Sequence, residues 1–157
     1  MPEQKQKFLL PRGIPPVPQP KYEHMMPEDR DCWTRFLKER PLYFEEVWYD
    51  MHVGVPVIPP EGSPLWMWDV SNAVTRKRID VIGRFKSKLY IVEVKTVLNM
   101  KALGQAVTYH DLFIRDYETD LEVIPAVICE MSDADLVPIA AKLKVVVLVN
   151  TLPTERV

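Results

Sequence analysis

The spacing of apolar residues changes several times along the chain, and each change predicts a new element. After Pro27, the positions of Trp33, Phe36 and Leu37 are typical of one helix face, and Pro41 follows the expected helix end. Aromatic and β-branched residues between 42 and 58 predict one or two strands. Residues 58–73 are rich in Pro, Gly and Ser, which predicts a loop.

The second half of the chain alternates between strand-like and helix-like patterns. Residues 77–85 and 89–97 predict a β-hairpin, and a helix is expected over 100–117. The nearly continuous apolar run over 121–131 is typical of a strand buried on both faces. A short helix over 134–143 and a strand over 144–150 complete the pattern. This order predicts an α/β fold in which a mixed β-sheet is flanked by helices.

The N-terminal residues 1–26 differ from the rest of the chain in their proline content. Twelve of the fifteen prolines lie in the first 64 residues. Proline favours an extended conformation and removes a backbone donor, so this segment cannot build a core of its own. We therefore expect an extended arm over 1–26 and a single domain over 27–157. The arm is expected to lie on its own domain, on a second subunit or on another partner.

Composition narrows the class of protein. Hydrophobic residues make up 47% of the chain and charged residues 27%, which excludes a wholly disordered protein. No apolar run reaches the ~18 residues that a membrane span requires. Cys32 and Cys129 lack metal-type spacing and are interpreted as reduced thiols. We expect a cytoplasmic protein, of cellular or phage origin, with no membrane partner.

Charge is distributed unevenly along the chain. The net charge is −2, but residues 76–101 carry eight basic residues and two acids, so this stretch is +6 and the remainder is −8. A basic rim around two carboxylates suits a site that acts on a polyanion such as DNA, although a solvated hairpin also has charged ends. The residues that we expect to contact the DNA backbone are Arg76, Lys77, Arg78, Lys86, Lys88 and Lys101.

Two acids and a lysine stand within the predicted hairpin. Glu93 and Lys95 are two residues apart in an apolar strand, so their side chains share a face, and burying them is costly unless they pair or bind a metal. If residues 86–87 form a two-residue turn, Asp80 lies opposite Glu93. A three-residue turn would direct Asp80 to the other face unless a bulge intervenes. Two such carboxylates suit Mg²⁺ or Mn²⁺, and Lys95 can orient or deprotonate a water or neutralise developing charge.

The chain resembles the PD-(D/E)xK nuclease superfamily in the order of its motif residues, which is Asp80, a hairpin and then Glu93-Val94-Lys95, although Ile replaces the proline at position 79. The helix–strand–strand–strand–helix–strand order over residues 28–130 is similar to its restriction-endonuclease-like core. Gln105 and Tyr109 resemble the Q-x-x-x-Y signature of the branch that includes RecB and lambda exonuclease. Together with Lys101 they lie on one helix face, where they can follow a phosphate backbone or hold the catalytic strand.

This resemblance implies a Mg²⁺-dependent deoxyribonuclease that acts in recombination, repair or the processing of phage or mobile-element DNA. The catalytic residues that it implies are Asp80, Glu93, Lys95, Gln105 and Tyr109. The implied metal ligands are Asp80, Glu93 and the Val94 carbonyl. The family usually adds an upstream acid from the first helix or the following strand, and the candidates that we leave open are Glu28, Asp31, Glu45 and Glu46.

Two alternatives to the enzyme remain. The overall acidity, the arm and the undefined upstream acid also fit a catalytically silent structural or adaptor subunit of a larger, phage-type assembly that retains the nuclease fold. A regulatory DNA-binding module that does not cleave is the third hypothesis. Because a single basic rim predicts weak binding by a monomer, we expect a homo-oligomer or a subunit that assembles through the proline-rich arm.

Overall fold

A five-stranded mixed β-sheet forms the centre of the molecule. The computed structural model describes residues 6–74 and 77–150, and for residues 72–74 the backbone alone. The strands, in chain order, are β1 Phe8–Leu9, β2 Glu46–Val53, β3 Lys77–Phe85, β4 Lys88–Val97, β5 Tyr117–Glu118, β6 Glu122–Met131 and β7 Val146–Val149. The order across the large sheet is β2-β3-β4-β6-β7, antiparallel from β2 to β4 and parallel from β4 to β7. The short strands β1 and β5 pair separately, in parallel.

Helices cover both faces of the sheet. They are α1 Pro27–Glu39, α2 Leu65–Val74, α3 Met100–Asp116 and α4 Val137–Lys142. Helix α1 packs Trp33 and Phe36 against Val92 and Val94 of β4. Leu89 and Ile91, which alternate with those valines, belong to the opposite core, which α3 covers. The predicted α/β architecture, a mixed sheet flanked by helices, is confirmed.

The prediction of a loop over residues 58–73 was wrong at its C-terminal end. The residues after Pro64 form helix α2 because they contain no glycine or proline that would interrupt a helix. The strand region over 42–58 is one strand, β2. Helix α4 begins at Val137 rather than 134, because residues 133–136 form a preceding turn in which the Leu136 N–H donates to the Asp133 carbonyl.

The described part of the N-terminal arm lies on its own domain. Ile14 forms an antiparallel bridge with Val47 on the outer edge of β2, and the Trp48 indole N–H donates to the Pro11 carbonyl at 2.8 Å. Tyr22 is buried in the core beneath α1. The arm therefore runs along one sheet edge and ends against the α1 face. Residues 1–5 of the predicted arm and 151–157 of the predicted domain lie outside the described residues.

None of the helices that the structure describes is both long enough and apolar enough to cross a bilayer.

Candidate active site

The turn between β3 and β4 sets the register of the site. Phe85 pairs with Lys88 and Val81 with Val92, so residues 86–87 form a two-residue turn, which is the even-register alternative of the two that the sequence left open. Lys86 adopts a left-handed conformation there, with φ of 53°. Continuing the register brings Asp80 level with Glu93, one position beyond the last regular pair. The hairpin therefore holds both acids at the end of its ladder.

Strand β3 is irregular at Asp80. Ile79 and Val81, two residues apart, pack in opposite cores, which a regular strand does not allow. In place of the interrupted backbone ladder, the Val94 N–H donates to the Asp80 Oδ2 at 3.1 Å. The Asp80 carboxylate thus lies between the two strands rather than above either face. From there it reaches the side chain of Glu93.

Glu93 is a buried acid beside a second acid, Asp80, that is half-buried. Its side chain is among the fully buried ones, with 1% exposure, and its Oε1 has no hydrogen-bond partner among the described residues. Burial and then the charge of Asp80 raise the pKa of Glu93 well above its ordinary value. Burial also raises the pKa of Asp80, against the lowering effect of the Val94 N–H. The two carboxyls are therefore costly to ionise together.

Lys95 links this pair to helix α1. Its Nζ lies 3.6 Å from the Asp29 Oδ2 in the first turn of that helix. Asp29 is buried, and desolvation raises its pKa although the charge of Lys95 and the Thr96 backbone N–H lower it. The negative charge of Asp29 also contributes to the raised pKa of Asp80. Three carboxyls and one ammonium group thus form a single electrostatic cluster.

Asp29 is the acid that α1 contributes to this cluster, and it is not among the four candidates expected from the sequence. It precedes Cys32, Trp33 and Phe36 by three, four and seven positions, the spacing that places residues on one helix face. Since those three side chains are buried, Asp29 is directed at the sheet rather than at solvent. The helical periodicity alone could have identified it.

The four acids proposed for that place lie elsewhere. Glu28 and Asp31 are exposed on α1, where Asp31 pairs with Arg30 at 3.7 Å. Glu45 and Glu46 pair with Arg84 at 2.6 and 3.3 Å, toward the turn end of the hairpin. Because Arg84 engages both of them, these two acids link β2 to β3 and do not reach the cluster.

Helix α3 adds an amide and a phenol to the site. The Gln105 Nε2 donates to the Tyr109 Oη at 3.4 Å, and the Gln105 Oε1 is buried without a hydrogen-bond partner among the described residues. Burial first, and then the negative charges of Glu93 and Asp80, raise the pKa of Tyr109. The Tyr109 hydroxyl therefore lies within electrostatic range of the carboxyl pair. Lys101, which lies one turn before Gln105 on the same helix, is exposed.

Of the basic residues proposed for DNA binding, those that the structure describes do not form one rim. Lys86 and Lys88 lie at the hairpin turn, about 17 Å along the strand from Asp80 at ~3.4 Å per residue. Arg78 is engaged by Asp50 at 3.1 Å. Lys77 begins β3 on the other side of Asp80. Arg76 lies outside the described residues.

The arm forms one wall of a cavity beside the site. This cavity, of about 290 Å³, is lined by Asp80, Asp50 and Tyr49 on the sheet and by arm residues 19–25, including Tyr22 and Glu23. Glu23, His24 and Asp50 hold their potential ligand atoms within 4.8 Å of one another. The Arg78 guanidinium contacts both His24 and Asp50 and balances the negative charge of this group.

Comparisons with known proteins add one structural neighbour. No family model matches the chain, and no curated protein matches it. Among solved structures it is similar to a protein of unknown function, AF1548, with a TM-score of 0.45 and 14% sequence identity. The match covers 82% of this chain and 61% of that one, so the chain spans about three fifths of the neighbour's length.

Proposed function

We propose that the protein is a Mg²⁺-dependent deoxyribonuclease with a PD-(D/E)xK-like core, acting on DNA inside the cell. The observation that carries the proposal is Glu93, a fully buried carboxyl with an oxygen that has no hydrogen-bond partner among the described residues, placed beside the half-buried Asp80. The pair is costly as a purely structural feature, because Glu93 is taken out of water next to a second carboxyl and keeps one oxygen without a hydrogen bond among the described residues. A bound cation would offset that cost.

The donor set fits a hard divalent cation. Carboxylate oxygens are the ligands that Mg²⁺ and Mn²⁺ prefer, and the Glu93 Oε1 has no competing hydrogen bond among the described residues. Asp80 and Glu93 would hold the ion, with the Val94 carbonyl that the family resemblance implies. When bound there, the cation supplies Lewis-acid chemistry for phosphodiester hydrolysis.

The surrounding side chains have distinct roles in this proposal. Lys95 orients or deprotonates the attacking water, or neutralises charge that develops on the phosphate. Asp29 fixes the position of the Lys95 ammonium group. Gln105 and Tyr109 present an amide and a hydroxyl from α3 to the phosphate backbone. The site thus combines groups from α1, the hairpin and α3.

Cleavage assays test the proposal. The purified protein is incubated with duplex, single-stranded and branched DNA in Mg²⁺, Mn²⁺ or EDTA. We expect cation-dependent cleavage that Asp80→Asn and Glu93→Gln abolish, whereas the matched control Glu61→Gln, an exposed carboxyl in a turn, cleaves normally. Cleavage that survives both site variants, or no cleavage of any substrate with either cation, contradicts the proposal.

A catalytically silent subunit of a larger, phage-type assembly is the second candidate. It is favoured by the separation of Lys86 and Lys88 from the carboxyl pair and by the engagement of Arg78 with Asp50, which leave few cations beside the site. In that case Mg²⁺ would still raise the melting temperature through Asp80 and Glu93, but no DNA would be cleaved. Thermal denaturation and cleavage measured on the same preparation separate the two candidates.

A further inference from the structure

Helix α2 is apolar and yet lies almost entirely in solvent. Its sequence over 65–71 is LWMWDVS, and Leu65, Trp66, Trp68 and Val70 are 84%, 61%, 43% and 50% exposed. The helix makes no substantial packing contact with any other described helix or strand. A hydrogen bond from the Ser71 hydroxyl to the Val57 carbonyl anchors it to the preceding loop. Such an exposed apolar surface marks a binding site.

The two tryptophans lie on different sides of the helix. Two helical positions differ by about 200°, so Trp66 faces solvent beside Val70, whereas Trp68 faces residues 55–58. Trp68 and Val55–Ile58 line a cavity of about 350 Å³. Its size lies at the low end of small-ligand pockets, which are about 300–1,000 Å³. A flat, apolar group fits against the Trp68 ring there.

Charge identifies the kind of ligand. Asp69 is the single charged residue of α2, and the sequence continues from the helix through Thr75 into Arg76, Lys77 and Arg78. Arg76 lies outside the described residues and Arg78 is engaged by Asp50, so Lys77 is the described cation of this segment that can meet a phosphate. Aromatic side chains followed by a basic segment are the combination that binds single-stranded nucleic acid, in which bases stack on the rings and cations follow the phosphates. A second protein with an apolar surface would not require those adjacent cations.

The chain connects this surface to the carboxyl pair over a short distance. From Trp68 to Val74 the helix rises about 9 Å, and the six residues from Val74 to Asp80 span at most ~20 Å. At the spacing of about 3.4 Å per nucleotide within one strand of a duplex, about nine nucleotides cover this reach of ~30 Å, and a more extended single strand needs fewer. One single strand can therefore contact α2 and Asp80 together.

We propose that helix α2 is a binding element for single-stranded DNA, on which unpaired bases stack against Trp66 and Trp68 while Lys77 holds the backbone that leads to Asp80. The choice of DNA as the ligand rests on the proposed nuclease function. Binding itself requires no cleavage and can be measured separately. Duplex DNA should not use this surface, because its bases are already stacked.

Fluorescence in EDTA tests this proposal on the full chain. The remaining tryptophans, Trp33 and Trp48, are buried, so an oligothymidylate of about 20 nucleotides, longer than the ~9 required, should quench the emission of the α2 pair. Trp66→Leu and Trp68→Leu keep the apolar bulk but remove the aromatic face. Each should raise the Kd about 5- to 150-fold, which corresponds to ~1–3 kcal/mol per stacked base. Phenylalanine at the same positions should restore part of the affinity.

Leu65→Ala is the matched control, because Leu65 is the most exposed of these residues and has no ring to stack. We expect its Kd to equal that of the wild type. An unchanged Kd in both tryptophan variants, or an equal loss in Leu65→Ala, overturns the proposal. A tryptophan variant that changes its oligomeric state on gel filtration but keeps the wild-type Kd also overturns the proposal, because that result would make α2 an interface between two copies of the chain.

The outcomes separate this inference from the nuclease proposal. Quenching and ring-dependent binding without cleavage of any DNA would leave the stacking surface standing and contradict the nuclease. Normal cleavage by the Trp66→Leu/Trp68→Leu double variant, with an unchanged Kd for oligothymidylate, would leave the nuclease standing and contradict the stacking surface.

Discussion

Replacing Glu93 by Gln should stabilise the protein in the absence of metal, and the gain should increase with pH. Burial and the charge of Asp80 raise the pKa of Glu93 in the folded state. The folded protein therefore binds this proton more tightly than the unfolded chain does. Folding stability is highest below the ordinary pKa of the acid and is lost as the pH rises toward the folded value. Glutamine is neutral at every pH and has no such dependence.

The size of the effect follows from the difference between the folded and unfolded pKa of Glu93. Each pH unit by which the folded pKa exceeds the unfolded one removes about 1.4 kcal/mol of stability once the pH is above both. In a chain of 157 residues, 1 kcal/mol corresponds to about 2–4 °C in melting temperature. Each pH unit of that difference should therefore make the variant melt about 3–6 °C higher relative to the wild type. Below about pH 4, where the acid is protonated in both states, the gain should disappear.

The assay is thermal denaturation in EDTA between about pH 4 and pH 8, with Glu61→Gln as the control for loss of a surface charge. Mg²⁺ should then reverse the order, because cation at about 100 times its Kd stabilises the wild type by ~2.7 kcal/mol and the variant hardly at all. A gain that does not depend on pH, or no gain at about pH 8, would refute the reasoning, because Glu93 would then be held by compensating hydrogen bonds.

Three further predictions concern the site and the core. Asp29→Asn should lower DNA cleavage about 10- to 100-fold at unchanged secondary structure, because Lys95 loses its fixed anion; normal turnover would exclude a role for Asp29. Burial raises the pKa of Cys32 to about 12 and that of Cys129 to about 11, so neither thiol should react with Ellman's reagent at neutral pH until the protein unfolds, and fast reaction in the native state would contradict their burial. Gly83→Ala should cost about 1–3 kcal/mol in urea denaturation, because the added methyl would lie 2.5 Å from the Phe44 ring; an unchanged midpoint would mean that the ring can move.

The elements with strong local patterns could be predicted from the sequence. The hairpin follows from alternation on both sides of a two-residue turn, and the turn length alone fixes Asp80 level with Glu93. Helix α3 follows from its apolar spacing and has an Asn99 cap that accepts from the Ala102 N–H. In these segments the residues that determine the local conformation also form the buried face.

Two features could not be derived in the same way. Helix α2 was predicted as part of a loop because of the Pro, Gly and Ser content of residues 58–73. Its own apolar residues surround the helix instead of forming one face, so they give no amphipathic signal that would correct this prediction. The irregularity of β3 at Asp80 depends on tertiary contacts on opposite faces of the sheet, which no local pattern encodes. Asp29 is a different case, because the sequence alone places it on the same helix face as the buried Trp33 and Phe36 and so could have predicted that it faces the sheet.

The path of the proline-rich arm has a consequence for synthesis on the ribosome. Leu9 pairs with Glu118, which emerges 109 positions later, so the first part of the arm waits about 5–20 s for its partner at ~5–20 residues per second. Ile14 has a much shorter wait, because its partner Val47 follows after only 33 positions, so this part of the arm can cover the outer edge of β2 before β5 emerges. Prolines lack the N–H that a strand ladder needs, so the waiting arm is a poor partner for any other edge. Its composition thus protects the chain on the polysome before the fold is complete.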